Sequence, residues 1–251
     1  MMMQYDIWGH TDRGRRRREN QDTILFSHLG KDVTLPKIGI SPEQVRTHGH
    51  LLAVADGVGG VQGGRQASQL LTTHLAQSYY RPTAHQIHQH LSNAIVQANA
   101  EAVRRNEHEN ASSTLVAAVV HGGRLYVAHV GDSRAYLLRR GQMQQLTDDH
   151  ALGNRLTRYL VSTNDFPPTM HAPIKLEAGD RVLLCSDGLY RPTRKEPESV
   201  VEILENYRAE EACYRLIGLA NAGGGHDNIS VVLLRVDALP VPSRRGKWES
   251  M

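Results

Sequence analysis

The sequence predicts an α+β fold built in layers, and three observations carry that prediction. Strand-like segments follow one another in hairpins, helix-like segments come in pairs, and neither an internal repeat nor a clear linker divides the 251 residues. A doubly wound fold would alternate strand and helix. Leu51–Ala55 reads as a buried strand. Ala67, Leu70, Leu71, His74 and Leu75 then share one helical face, and Ile87, Leu91, Ala94, Ile95, Ala98 and Ala102 recur at spacings of three and four in a second helix. After that the period changes. Thr114–Val120, Leu125–Val130, Ala135–Leu138 and Met143–Leu146 are short strands, parted by turn residues at His121-Gly122-Gly123, Gly131-Asp132 and Arg140-Gly141. Asp180–Cys185 is a further buried strand. Helices over Pro197–Tyr207 and Glu210–Ala220 follow, and Ile229–Val236 closes as a strand. Residues 1–237 read as one domain and 238–251, with two prolines and no period, as a loose tail.

Composition narrows the function classes. Hydrophobic residues at 40% and charged residues at 22% are ordinary for a soluble chain, and a net charge of +3 is too weak to argue for nucleic acid. Two Phe and two Trp leave the core to aliphatic side chains. No apolar run approaches the roughly 20 residues a membrane helix needs. The first residues, MMMQYDIWGH, lack the apolar stretch of a signal peptide, so the expected location is cytoplasmic. Two cysteines, Cys185 and Cys213, cannot build a disulfide framework and are expected to be reduced.

Five aspartates stand where apolar strands begin or end: Asp22, Asp56, Asp132, Asp187 and Asp227. Taken singly, each is common turn chemistry, because Asp tolerates turn geometry and bonds local N–H groups. Together they would repel one another unless cations compensate. Oxygen-only ligation suits Mg²⁺ or Mn²⁺ better than Zn²⁺. Two such ions, roughly 3.5–4 Å apart, can activate a water for in-line attack on phosphorus. Gly57, without a side chain, would let its carbonyl turn toward a metal beside Asp56.

The stretches TDRGRRRRENQD, VADGVGGVQGGRQAS, HVGDSRAYLLRRGQMQQLTDDH, GDRVLLCSDGLY and GGGHDNISVVLLRV resemble, in order, the motifs of metal-dependent protein phosphatases of type 2C, in their bacterial branch, over about residues 5–236. The resemblance implies a four-layer sandwich, two antiparallel sheets between pairs of antiparallel helices. It implies a protein serine/threonine phosphatase that hydrolyses phosphomonoesters by direct attack of water activated between two Mn²⁺ or Mg²⁺ ions. Asp56 would bridge the ions, Asp187 and Asp227 would complete the first site, and Asp22 with the Gly57 carbonyl would serve the second. Asp132 and Asp187 resemble the pair that holds a third, weaker ion. Arg17 falls where the family's substrate-phosphate arginine lies. Its planar fork suits two phosphate oxygens. Implied partners are phosphorylated proteins, a serine/threonine kinase or its substrates among them, for a monomer with no nucleic-acid or membrane partner.

Some features depart from the family or point elsewhere. Val58 stands where animal relatives carry a histidine proposed as general acid. Ser112-Ser113-Thr114 replaces a glycine-led turn, and "NRLTRYL" follows His150 almost directly, so the helical flap is expected to be missing or much reduced. Arg13 and Arg15–Arg18 form a basic run that is either a solvated lead-in or an attraction for acidic phosphopeptides. Cys185 and Arg191 match the Cys-x5-Arg spacing of cysteine phosphatases, yet Asp187 would face the phosphate, so Cys185 is expected to be a buried structural thiol. His85, His88 and His90 read as a solvated helix, and Lys31–His48 as a loop. Two other function classes stay open: a non-catalytic phosphoprotein-binding module of the same fold, against which the intact aspartates argue, and a phosphohydrolase of small metabolites.

Overall fold

Residues 3–27, 40–59, 63–82, 86–107, 111–153, 155–161 and 166–238 are described by a computed structural model. The first half holds strand β1 (Met3–Asp12), β2 (Thr23–Phe26), helix α1 (Pro42–His48), β3 (His50–Ala55), β4 (Gly57–Val58), α2 (Gly63–Tyr79) and α3 (Ile87–Arg105). The hairpin region holds β5 (Ser112–Ser113), β6 (Leu115–His121), β7 (Arg124–Val130), β8 (Arg134–Arg139), β9 (Gln142–Gln145), β10 (Ala151–Leu152), β11 (Arg155–Leu156), β12 (Thr169–Met170) and β13 (Ile174–Lys175). The chain then runs through β14 (Arg181–Cys185), α4 (Asp187–Thr193), α5 (Pro197–Asn206), α6 (Ala209–Ala222) and β15 (Ile229–Ala238).

The strands pair antiparallel into two large sheets. One has the order β1-β15-β14-β8-β9, the other β12-β7-β6-β3-β2 with β13 also on β7. Alternation sorts the side chains, since neighbours on a strand point to opposite faces. Leu52, Val54, Val116 and Ala118 meet Val182, Leu184, Val232 and Leu234 between the sheets. Their neighbours Leu51, Ala53, Leu115 and Val119 face Leu71, Leu75, Leu91 and Ile95 of α2 and α3. On the far side Leu183, Val231 and Leu233 face Leu204, Leu216 and Ile217 of α5 and α6. The result is the four-layer order α-β-β-α. Strands buried on both faces explain the unbroken apolar runs, each large side chain contributing about 1.5–3 kcal/mol.

Three expectations need correction, and strand β1 is an element that no expectation covered. The described end of Lys31–His48 is helix α1, started by Ser41 with a capping box to Gln44 and Pro42 in its first turn. Ser112 and Ser113 form a strand, pairing with Val58 and Gly57. Edge strand β1 mixes polar and apolar residues and pairs along its whole length with β15. In α3, His90 is buried against the Tyr79 carbonyl, whereas His88 is half-buried and His85 lies outside the described residues. The tail beyond Ala238 lies outside them too. Among the described residues no helix is long and apolar enough to cross a membrane.

Candidate active site

Strand register gathers the five aspartates. Thr23 pairs with Ala55, so Asp22 before β2 and Asp56 after β3 share one end of their sheet. Val54 pairs with Val116 and Leu115 with Val130, which brings the turn carrying Asp132 to that end. In the other sheet Cys185 pairs with Val231, placing Asp187 after β14 beside Asp227 before β15. Stacking the sheets superposes these ends over a cleft of about 820 Å³, lined by Asp56, Gly57, Asp132, Asp187, Asp227 and Arg17 among others. Asp22 is buried beneath it, where Ser186 Oγ donates to its Oδ2 at 2.8 Å.

Electrostatics mark the cluster as unfavourable for its own charge. Burial raises the Asp56 carboxyl well above the usual carboxylate range, and Asp22, Asp187, Asp227 and Asp132 raise it further. Burial also raises Asp22, against hydrogen bonds from Ser230 and Ser186. For Asp187 and Asp132 the rise from burial is opposed by the Arg191 guanidinium. Arg17 Nη2 donates to Asp227 Oδ2 at 2.6 Å, which keeps the guanidinium above its ordinary value. Arg191 Nη2 lies 3.2 Å from Asp132 Oδ2 and its Nε 3.0 Å from Asp187 Oδ2.

A divalent-ion site can be tested on these donors. Among the described residues no three His, Cys, Asp or Glu side chains form a closed metal-holding group. Asp227, Asp132 and Asp187 are each drawn to an arginine. The donor chemistry nonetheless fits hard cations: all oxygen, mutually repelling, and with two buried oxygens, Asp22 Oδ1 and Asp187 Oδ1, that lack a hydrogen-bond partner. An orphaned buried carboxylate oxygen costs free energy unless something positive meets it.

Supporting residues emerge only in three dimensions. Asn228 Oδ1 accepts from the Gln21 N–H at 2.9 Å while its Nδ2 donates to the Arg13 and Glu19 carbonyls, so one side chain pins both ends of the basic loop. Asn20 Oδ1 accepts from the Asp22 N–H, and Thr114 Oγ1 from the Asp56 N–H. His150 Nδ1 accepts from the Gly131 N–H at 3.1 Å and stacks on buried His129, which steadies the turn before Asp132. Asn within two residues of Asp, in "ENQD" and "HDNIS", is a readable signal for two of these. Nothing local announced Arg191 or Thr114. Gly57 has a packing role in addition to the one expected of it: a Cβ there would meet the Gly64 carbonyl oxygen at 2.1 Å, where α2 begins.

The cysteine alternative fails on geometry. Cys185 is fully buried against α4–α6, burial pushes its thiol up, and Arg191 is committed to Asp132 and Asp187. Among the described residues no helix lies between Asp149 and Gly179, in keeping with a reduced flap. The short β10–β11 hairpin turns there, and its Arg155 and Leu156 line the cleft with half-exposed Val58.

Comparison with known proteins agrees with this architecture. A family model described as protein phosphatase 2C matches residues 42–216. The serine/threonine protein phosphatase PstP of Mycobacterium tuberculosis is 34% identical over 218 residues, 77% of this chain but only 42% of that protein's length. The serine/threonine phosphatase stp of Listeria innocua is 33% identical over 257 residues, 89% of this chain and 93% of the relative. A crystal structure of the PstP catalytic domain with two manganese ions superposes with a TM-score of 0.76 at 31% identity, covering 94% of this chain and all of that one.

Proposed function

Because this chain belongs to the protein phosphatase 2C family, we propose that it is a metal-dependent protein serine/threonine phosphatase that acts in the cytoplasm as a monomer. The observation that carries the reading is the convergence of four aspartates on one cleft with Asp22 buried beneath it, Asp22 and Asp187 each keeping a buried, unpartnered oxygen. Asp56, Asp187, Asp227, Asp22 and the Gly57 carbonyl would hold the ions, with Asp56 shared between the two sites as the resemblance implies. Bound there, two Mn²⁺ or Mg²⁺ ions supply a deprotonated water and cover the phosphate charge. Arg17 lines the same cleft with one contact to Asp227, and its remaining N–H groups suit phosphate oxygens. Ser186, Asn20 and Thr114 hold Asp22 and the Asp56 backbone in place. Val58 offers no proton to the leaving alkoxide.

Hydrolysis of a phosphothreonine peptide, with Mn²⁺, with Mg²⁺ and with a chelator, tests the reading. Turnover should need a metal and survive thiol alkylation. Metal-independent turnover, or its loss on alkylation, would overturn it. No turnover under either metal would favour a phosphoprotein-binding role.

The cleft rim supports a substrate class. Arg16, Arg18 and Arg155 line it with no acidic partner among the described residues, and the loop that carries the first two is held at the Arg15 and Arg16 N–H groups by the Gly225 carbonyl. Exposed guanidinium–carboxylate pairs contribute about 0.2–1 kcal/mol each. Phosphopeptides with flanking glutamates should therefore be turned over about tenfold better, in kcat/KM, than lysine-flanked ones. Changing Arg16, Arg18 and Arg155 to Gln should bring the ratio close to one. An unaltered protein without that preference would reject acidic phosphopeptides as the favoured class.

A further inference from the structure

The pair Asp132–Asp187 stands apart from the other carboxylates in what it touches. Asp187 opens α4 and Arg191 follows it by four residues, so helix geometry puts the two side chains on one face. Asp132 comes to the same guanidinium from the turn between β7 and β8. One arginine thus touches both: Nε at 3.0 Å from Asp187 and Nη2 at 3.2 Å from Asp132, on the same cleft wall. Tyr190 adds its hydroxyl to Asp132 Oδ2 at 3.4 Å. Arg134 lies 3.6 Å over the Tyr190 ring and is itself clamped by Asp149, which backs that end of α4.

From these contacts we infer that Arg191 is a resident cation: it holds the Asp132–Asp187 pair, so the protein takes up two divalent ions and not a third. The inference rests on the metal-dependent reading above and departs from the resemblance, which gives this pair a third ion. The physical argument is competition. A guanidinium keeps its charge at any working pH. Tethered four residues from one of its partners, it meets that partner at an effective concentration in the millimolar range or above. A weakly held ion would have to displace that guanidinium before it could use the two carboxylates, which lowers its affinity there.

Manganese binding to the full chain, followed by calorimetry and by the paramagnetic resonance of the free ion, tests this without using activity. The unaltered protein should bind two equivalents. Arg191→Gln should keep those two and gain a third, with the affinity at that position raised at least about tenfold. Tyr190→Phe, which leaves the guanidinium in place, should stay at two, so that mere loosening of the wall is told apart from loss of charge. Three equivalents in the unaltered protein, or no gain in Arg191→Gln, would overturn the inference. So would a third equivalent in Tyr190→Phe. Loss of the two tight ions in Arg191→Gln would also count against it, since the guanidinium would then be a strut. Binding of no ion by the unaltered protein would be a different failure, that of the phosphatase reading itself.

Discussion

Asp56→Asn is expected to cut phosphopeptide turnover by well over about a hundredfold, beyond what changes to residues merely supporting a metal ligand produce. The same substitution should stabilise the protein in chelator. Asp56 faces four other carboxylates, and burial and their repulsion raise its carboxyl well above the usual range. An isosteric amide removes one charge from that group without opening a void. Each kcal/mol relieved should raise Tm by about 2–4 °C in a domain of this size. The sign of the pH dependence follows. The Asp22, Asp56, Asp132 and Asp187 carboxyls have folded pKa values above their unfolded ones, with Asp187 pushed up to about 7. Their share of stability is therefore present at low pH and is lost as pH rises from about 4 toward 7. Thermal melts in chelator from pH 5 to 8 should show a falling Tm that Asp56→Asn flattens. With Mn²⁺ at 100 times its Kd the unaltered protein should gain about 2.7 kcal/mol, and the variant much less. Near-parental turnover, or a lower Tm in chelator, would remove Asp56 from the centre of the site.

Gly57→Ala should be a severely damaging single methyl in the site. Its Cβ would lie 2.1 Å from the Gly64 oxygen and 2.6 Å from the Gln21 oxygen, both backbone atoms that no rotamer change can move. Either α2 withdraws from β4, or the segment leading into Asp22 shifts. Overpacking of this kind costs about 3 kcal/mol or more at its severe end, a fall in Tm of roughly 6–12 °C. Mn²⁺ affinity should fall with it, since Asp22 follows Gln21 directly. Gly218 in α6 makes the control: a Cβ there meets nothing within 4 Å, so Gly218→Ala should be neutral or slightly stabilising. Parental Tm and Mn²⁺ binding in Gly57→Ala would show that the approach of α2 to β4 is not needed.

Much of this protein was legible along the chain, for a local reason. Period, turn residues and unbroken apolar runs report on neighbours in sequence, so β3, the hairpin strands from β6 to β9, β14, α5, α6 and β15 could be read within a residue or two, and α2 and α3 by their buried faces though not to their ends. The aspartates could be seen as a set because each sits at a strand end, four of them beside Gly, Asn or Ser. Elements whose local signal is mixed could not. Strand β1 interleaves polar residues with Tyr5 and Ile7, and α4 is seven residues long with Pro192 inside it. The sequence by itself determined the layers, the turn chemistry and the oxygen-donor character of the site. Only the tertiary structure decided which side chains meet. Arg17 reaches Asp227 across 210 positions, Ser186 reaches Asp22 across 164, and Arg191 holds Asp132 across 59. Those meetings depend on strand register and on how two sheets stack. Both are set by packing summed over the whole core, so no single stretch of residues carries them.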